Sequence, residues 1–152
     1  MAVYTPNSGR DLGRLDYRVK EWDRKFFEYL KSLEGKGKAV ICCGDLNVAN
    51  GIKDIFDPNG REKAAGFTPQ EKKSFNDFLT NDNFIDTFRH LYPDKMQFTY
   101  FSNWGNCRAL NKGWRLDYFL IDKKSIVLVK DSQVHNEYFG SDHCPVSLQL
   151  DL

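Results

Sequence analysis

Apolar and polar positions change their period several times along the chain, and each change marks an element. Residues 2–4 form a short apolar segment stopped by Pro6 and predict a strand. Leu15, Val19, Trp22, Phe26, Leu30 and Leu33 then recur at steps of three and four, the spacing of an amphipathic helix with one buried stripe, ended by Gly35 and Gly37. Residues 39–43 are continuously apolar, which predicts a strand covered on both faces and running into Gly44-Asp45. Residues 50–66 are polar and hold Gly51, Pro58 and Gly60; a loop this long suggests a functional one. Thr68-Pro69-Gln70-Glu71 carries the signature of a capped helix start, with Phe75, Phe78 and Leu79 as its apolar face. A short helix over 86–91 ends before Pro93. Strands are predicted over 98–102, 115–121, 126–134 and 145–150, the last with Val146, Leu148 and Leu150 on one face. The sum is a mixed α/β fold (helices early, a strand-rich meander late): one sheet of about six strands with helices packed on one face.

Composition narrows the class. The 152 residues suffice for a single domain spanning 1–152, and 41% hydrophobic and 14% aromatic content excludes intrinsic disorder. No apolar run approaches the roughly 20 residues of a membrane span, so no membrane partner is expected. The first residues show no basic segment leading into an apolar one, so no secretory leader is expected. A net charge of +1 means that a nucleic acid would have to be held by a local basic face. Arg10, Arg14, Lys53, Arg61, Lys63, Arg108, Lys112 and Arg115 are interleaved with Gly and Asn as such a rim would be; an ordinary solvated surface is the alternative. Cys42, Cys43, Cys107 and Cys144 match no zinc spacing and read as thiols of a reducing, intracellular compartment, with Cys42 and Cys43 on opposite faces of their strand.

Three short motifs carry chemistry, each at the end or start of a predicted strand. Asp45 and Asn47 in Gly44-Asp45-Leu46-Asn47 stand two residues apart, which in extended backbone aims both side chains the same way; an Asx turn closing a strand is the equal alternative. Asp142 and His143 in Gly140-Ser141-Asp142-His143-Cys144-Pro145 offer a hard oxygen ligand and an imidazole beside it, or only a polar loop. Asp117, within Gly113-Trp114-Arg115-Leu116-Asp117-Tyr118, lies in a strand where a carboxylate needs a partner: a histidine ring, or else Arg115 or Lys112. Together they supply what metal-assisted phosphodiester hydrolysis requires: oxygen ligands, a group that orients water, and an imidazole at the phosphate. His90 reads as structural and His135 as surface. Trp104 and Trp114 sit in Gly- and Asn-rich loops, where packing competes with stacking on bases or sugars.

These motifs, with Tyr4-Thr5-Pro6-Asn7-Ser8-Gly9-Arg10, Arg14-Leu15-Asp16-Tyr17-Arg18, Ala65-Gly66-Phe67-Thr68-Pro69-Gln70-Glu71 and Asp86-Thr87-Phe88-Arg89, follow one another in the order of the exonuclease III type of apurinic/apyrimidinic (AP) endonuclease. The chain closely resembles that branch of the endonuclease/exonuclease/phosphatase superfamily over its whole length, and it resembles the C-terminal half. The resemblance implies one half of a four-layer DNase I-like sandwich. It also implies an enzyme of base excision repair that cuts double-stranded DNA on the 5′ side of abasic sites, with 3′-phosphodiesterase or 3′-5′ exonuclease activity beside it.

By the same resemblance Asp45 activates the attacking water, Asn47 positions water and phosphate, His143 contacts the scissile phosphate, Asp117 fixes its ring, and Tyr4 donates to the phosphate. Asp45, Asn47, Asp142 and His143 bind or adjoin Mg²⁺, or Mn²⁺ in its place. Asn7 and Arg10 contact DNA. Tyr100, Trp114 and Leu116 line a pocket for the flipped-out abasic sugar. Where the family has Phe then Trp, this chain has Tyr100 then Phe101, which implies an altered pocket. The family's first half, with its strand-end Asn and metal-binding Glu, has no counterpart here. A non-catalytic half that binds DNA or a complementing chain, or pairs as a homodimer, is therefore the alternative reading. Localisation is expected to be nuclear, or cytoplasmic in a bacterium.

Overall fold

The computed structural model describes residues 1–151. Six strands form among these residues: β1 (Ala2–Tyr4), β2 (Ile41–Asp45), β3 (Phe84–Asp86), β4 (Asp117–Asp122), β5 (Val129–Val134) and β6 (Val146–Leu150). The mixed α/β class stands, but the single sheet divides in two. β1, β2, β4 and β3 lie side by side in that order, with β1 and β2 parallel and the other pairs antiparallel; β5 and β6 make a separate antiparallel hairpin.

The division has a local cause. The expected strand over 98–102 is reduced to isolated bridges from Tyr100 to Trp114 and to His143. Thr99 Oγ1 accepts the N–H groups of both Leu116 (2.9 Å) and Asp117 (3.0 Å), so a side chain takes donors that a regular backbone ladder would have used. On its other edge this segment holds the loop before β6, with Phe101 N–H donating to Asp142 O and Cys144 N–H to Thr99 O. It joins the two sheets without belonging to either.

The helices are α1 (Arg24–Glu34), α2 (Pro69–Asn81) and α3 (Thr87–Leu91). A π-helical stretch, Tyr17–Asp23, precedes α1. Its wider turn shifts the apolar stripe by one residue. Phe27 therefore faces the core where the helical spacing pointed to Phe26, and Trp22 and Phe26 stay only partly covered. α2 begins as its sequence predicts: Thr68 Oγ1 accepts from Glu71 N–H, and the Glu71 carboxylate accepts from Thr68 N–H.

Phe27, Leu30, Phe75 and Phe78 pack on Val40, Cys42, Phe84, Tyr118 and Leu120 as the main core, with Phe27 and Phe78 stacked at 4.0 Å. That core covers one face of the larger sheet. The residues between, Ile41, Cys43 and Phe119, alternate to the other face and are half-buried, so β2 is covered on one side rather than on two. Smaller clusters lie under β5–β6 (Phe88, Phe98, Phe101, Val134, Cys144) and beneath the loops at one sheet end (Ala49, Ile55, Phe67, Leu116). All four cysteines are free, and burial pushes the Cys42 thiol up to about 12.

Candidate active site

Three strands end in one row. The register places Tyr4 of β1 beside Asp45 of β2 and Asp45 beside Asp117 of β4, so three predicted site residues share the face that the helices leave open. β1 approaches β2 closely only because Gly44 intervenes. Its φ is +133°, and a Cβ there would stand 2.0 Å from Val3 O.

Asp45 leads into the turn that presents Asn47. Leu46 and Asn47 have left the strand, and Asn47 takes φ +46°, a left-handed conformation that Asn tolerates. Of the two alternatives for this motif, the Asx turn is the one formed. Asn47 N–H donates to Asp45 Oδ1 (2.8 Å) as an Asx turn, and that turn, not extended backbone, brings the two side chains to one point. Asn47 Nδ2 donates to Thr5 O (2.9 Å) and to Asp45 Oδ2 (3.3 Å), while its Oδ1 accepts from Asn7 Nδ2 (2.9 Å). The amide is held from both ends and is nearly buried. Burial raises the Asp45 pKa above the usual carboxylate range, aided by the nearby Asp117 charge and opposed by the Asn47 N–H and by His143.

His143 reaches the same row from the loop before β6. Its Nδ1–H donates to Asp117 Oδ2 at 2.8 Å, which fixes the ring and turns Nε2 away from the carboxylate. This hydrogen bond, with the Asp117 charge and smaller contributions from Asp45 and Asp142, raises the His143 pKa against the opposing effect of burial. Asp117 therefore belongs to histidine. Arg115, its other candidate partner, points elsewhere: only 1% exposed, it donates from Nε to Asp54 Oδ1 (2.7 Å) and from both terminal nitrogens to Asp86 (3.1 and 2.7 Å). Arg115 is part of the interior, not of a basic rim. Arg10, Arg14, Arg61, Lys63 and Lys112 remain exposed.

A cavity of about 470 Å³ lies over the row. Tyr4, Asn7, Asp45, Asn47 and His143 line its polar side; Tyr100, Trp114 and Leu116 line its apolar side. Asp117 stands behind His143. Arg10 is outside the wall, and Asp142 lines a neighbouring hollow with Arg108 and Ser141. Ser102, Ala65 and Gly66 complete the lining without having been singled out as site residues. Ser102 follows Tyr100 by two in the same segment, the one signal that could have found it.

Two further residues shape the site from beneath. Glu71, fully buried, accepts from Gly66 N–H (2.9 Å) and from Ser8 Oγ (2.5 Å), tying the cavity wall to the Asn7 loop in addition to capping α2. Arg108 grips the histidine loop through Ser141 O (2.9 Å), Asn136 O (3.2 Å) and Tyr138 O. His90 is exposed, and His135 pairs with Ser147 away from the cavity.

The four residues expected at a metal differ in what they have free. Among the described residues, no three His, Cys, Asp or Glu side chains converge as a ready-made metal shell. His143 Nδ1 and Asn47 Oδ1 already have partners. Both Asp45 oxygens accept from Asn47, and Asp142 Oδ1 accepts from Ser141 Oγ at 3.4 Å, so each carboxylate offers the lone pairs that those bonds leave over. Mg²⁺ rarely occupies an all-protein cage and completes its shell with water and phosphate oxygens, so a carboxylate from the cavity and one from the neighbouring hollow are the kind of ligand it takes.

Residues 3–143 match the model of the endonuclease/exonuclease/phosphatase family. The chain belongs to that family. It is 45% identical to a DNA-(apurinic or apyrimidinic site) endonuclease of Dictyostelium discoideum, over 99% of this chain and 42% of that protein. With an exodeoxyribonuclease of Bacillus subtilis it shares 41% identity over 100% of this chain and 60% of that one. The fold superposes on an AP endonuclease from Leishmania major with a TM-score of 0.90 at 35% identity, over 96% of this chain and 47% of the other. This family member spans about half the length of the curated relatives it matches. No helix among its described residues is long and apolar enough to cross a membrane.

Proposed function

We propose that this chain carries the hydrolytic row of a DNA-repair endonuclease that cuts double-stranded DNA on the 5′ side of an abasic site. The observation that carries the reading is the Tyr4–Asp45–Asp117 row with His143 locked on Asp117, set beneath a cavity with one polar and one apolar wall. Asp45 orients the attacking water and takes its proton. Asn47, locked by Asn7 and Thr5, presents its amide beside that water. His143, held toward its protonated form, donates from Nε2 to a phosphoryl oxygen as charge develops there. Tyr4, 67% exposed at the end of β1, donates to the same phosphate. The apolar wall of Tyr100, Trp114 and Leu116 receives a sugar that has lost its base. Asn7 and Arg10 extend toward the DNA backbone.

Asp45 and Asp142 would hold a divalent cation, Mg²⁺ by preference or Mn²⁺ in its place, next to Asn47 and His143. When bound, it supplies charge neutralisation at the phosphate. The test is incision of a duplex with one tetrahydrofuran abasic analogue, with Mg²⁺ and with chelator, for wild type and Asp45→Asn. Wild-type incision 5′ to the analogue should require the cation, and Asp45→Asn should lose about 10²-fold or more in rate while still binding the duplex. Full cleavage by Asp45→Asn would remove Asp45 from the mechanism.

One observation favours a second reading, in which the chain works only beside another polypeptide. The open sheet face displays Tyr4 and the half-buried Ile41, Cys43 and Phe119, and the curated relatives are about twice as long. Incision that appears only when a relative's N-terminal half is added in trans would establish that reading.

A further inference from the structure

Arg18 is a cation placed almost entirely out of water, 2% exposed, in the π-helical stretch ahead of α1. A lone buried guanidinium is costly, so its partners explain why it is there. Nε donates to Asp23 Oδ1 at 2.7 Å, and Asp23 Oδ2 in turn accepts from Ser74 Oγ of α2 at 2.8 Å. The two terminal nitrogens face the other way, toward main-chain carbonyls of two separate loops. Nη2 donates to Leu46 O at 2.8 Å, and Nη1 to Pro6 O at 3.0 Å. Nη1 also stands 3.5 Å from Asn47 O.

These carbonyls belong to residues that hold or adjoin the polar side of the cavity. Pro6 immediately precedes Asn7, and Leu46 lies between Asp45 and Asn47. Asn7 and Asn47 meet at 2.9 Å only if both loops keep their relative height, and Asn47 must also hold its left-handed backbone to receive Asn7 and bond Asp45. A planar fork of fixed geometry is the side chain able to set the spacing of two carbonyls at once. The π-helical turn supplies the location, since its extra residue per turn swings position 18 beneath the loops while Asp23 comes round to the same side.

We infer that Arg18 is a positioning residue: anchored by Asp23, it clamps the Pro6 and Leu46 carbonyls and so sets the geometry of the Asn7–Asn47–Asp45 group without touching substrate. The inference rests on the proposed hydrolysis only for its kinetic consequence; the clamp itself can be read apart from activity. Lysine at this position retains the charge but bonds one carbonyl at a time, whereas methionine retains only the length.

The test combines incision kinetics on the abasic duplex with the side-chain amide signals of Asn7 and Asn47 in ¹H–¹⁵N correlation spectra. For Arg18→Met, kcat should fall roughly hundredfold, the cost of a misplacement of about 1 Å, with KM within about threefold of wild type. Both amide signals should shift while those of the α2 backbone stay in place. Arg18→Lys should recover all but about tenfold of kcat. Should Arg18→Met not fold, Asp23→Ala, which removes the acceptor that anchors the guanidinium, should move the same two signals and lower kcat in the same direction. Unmoved amide signals in the folded variant, or moved signals with kcat within about threefold of wild type, would overturn the assignment. If the wild-type chain, alone and with a complementing half, incises nothing, the hydrolytic reading fails, and the amide signals alone still decide whether Arg18 is the clamp.

Discussion

Removing the Asp117 carboxylate isolates one link of the proposed mechanism. Asp117→Ala deletes the acceptor of the 2.8 Å hydrogen bond from His143 Nδ1 and leaves the row of Tyr4 and Asp45 in place. A hydrogen bond to a charged partner contributes about 1.5–3 kcal/mol. Here the two side chains are 31% and 13% exposed, so water screens part of it, and about 2 kcal/mol is the fitting value. Expressed wholly in the transition state, that is about thirtyfold in kcat. His143→Ala removes the donor itself and should cost about 10²-fold or more. If the only task of Asp117 is to hold and charge the ring, the double variant should be no slower than His143→Ala, because the carboxylate then has nothing to act on. The pH dependence has a definite sign as well. Asp117 is the main reason the His143 pKa is raised, so without it the protonated form persists only to lower pH, and the alkaline fall in rate should move down. Single-turnover incision of the abasic duplex across pH, for wild type, both single variants and the double, measures all of this. A double variant whose loss equals the product of the single losses, with an unmoved alkaline limb, would refute the pairing as the functional unit.

Gly44→Ala should lower the urea midpoint by the equivalent of at least about 3 kcal/mol, because the added methyl collides with Val3 O in a backbone conformation that already disfavours a side chain. Arg115→Met should cost about 3–5 kcal/mol in urea unfolding, since it leaves the buried Asp86 without its cation and Asp54 with Arg89 alone, and Asp86→Asn in the same chain should recover part of the loss. Burial raises the Asp54 pKa, but Arg115 and Arg89 outweigh it and hold the carboxyl below its usual range. The stability it contributes is therefore complete above the ordinary carboxylate pKa and disappears as pH falls through the lower folded value; urea midpoints from pH 7 to about 2 should show that loss in wild type and a flatter profile in Arg115→Met. Replacing Phe119 by Lys should leave the helix-side core intact and weaken association with a complementing half or a second copy, read by sedimentation, because Phe119 lies on the open face opposite that core.

The features that sequence alone determined are those written in short-range chemistry. The Thr68–Glu71 capping box, the Gly44–Asn47 turn and the alternation of β6 each depend on groups a few residues apart, so their side-chain types and spacing suffice. The family motifs could be read in the same way, which is why most of the cavity lining was named before any geometry. Tertiary structure decided the partners. Arg115 stands two residues from Asp117 in the sequence yet bonds Asp54, 61 residues away, while Asp117 bonds His143, 26 residues away. Nothing local chooses between those pairings: Arg115 lies ahead of β4 and turns into the interior, whereas Asp117, the first residue of β4, faces the open side. The π turn before α1 likewise moved the buried position from Phe26 to Phe27, and Thr99 Oγ1 divided one expected sheet into two. In each case a single hydrogen-bonding choice was settled by what the packed chain brought within reach, and a pattern of apolar positions carries no record of it.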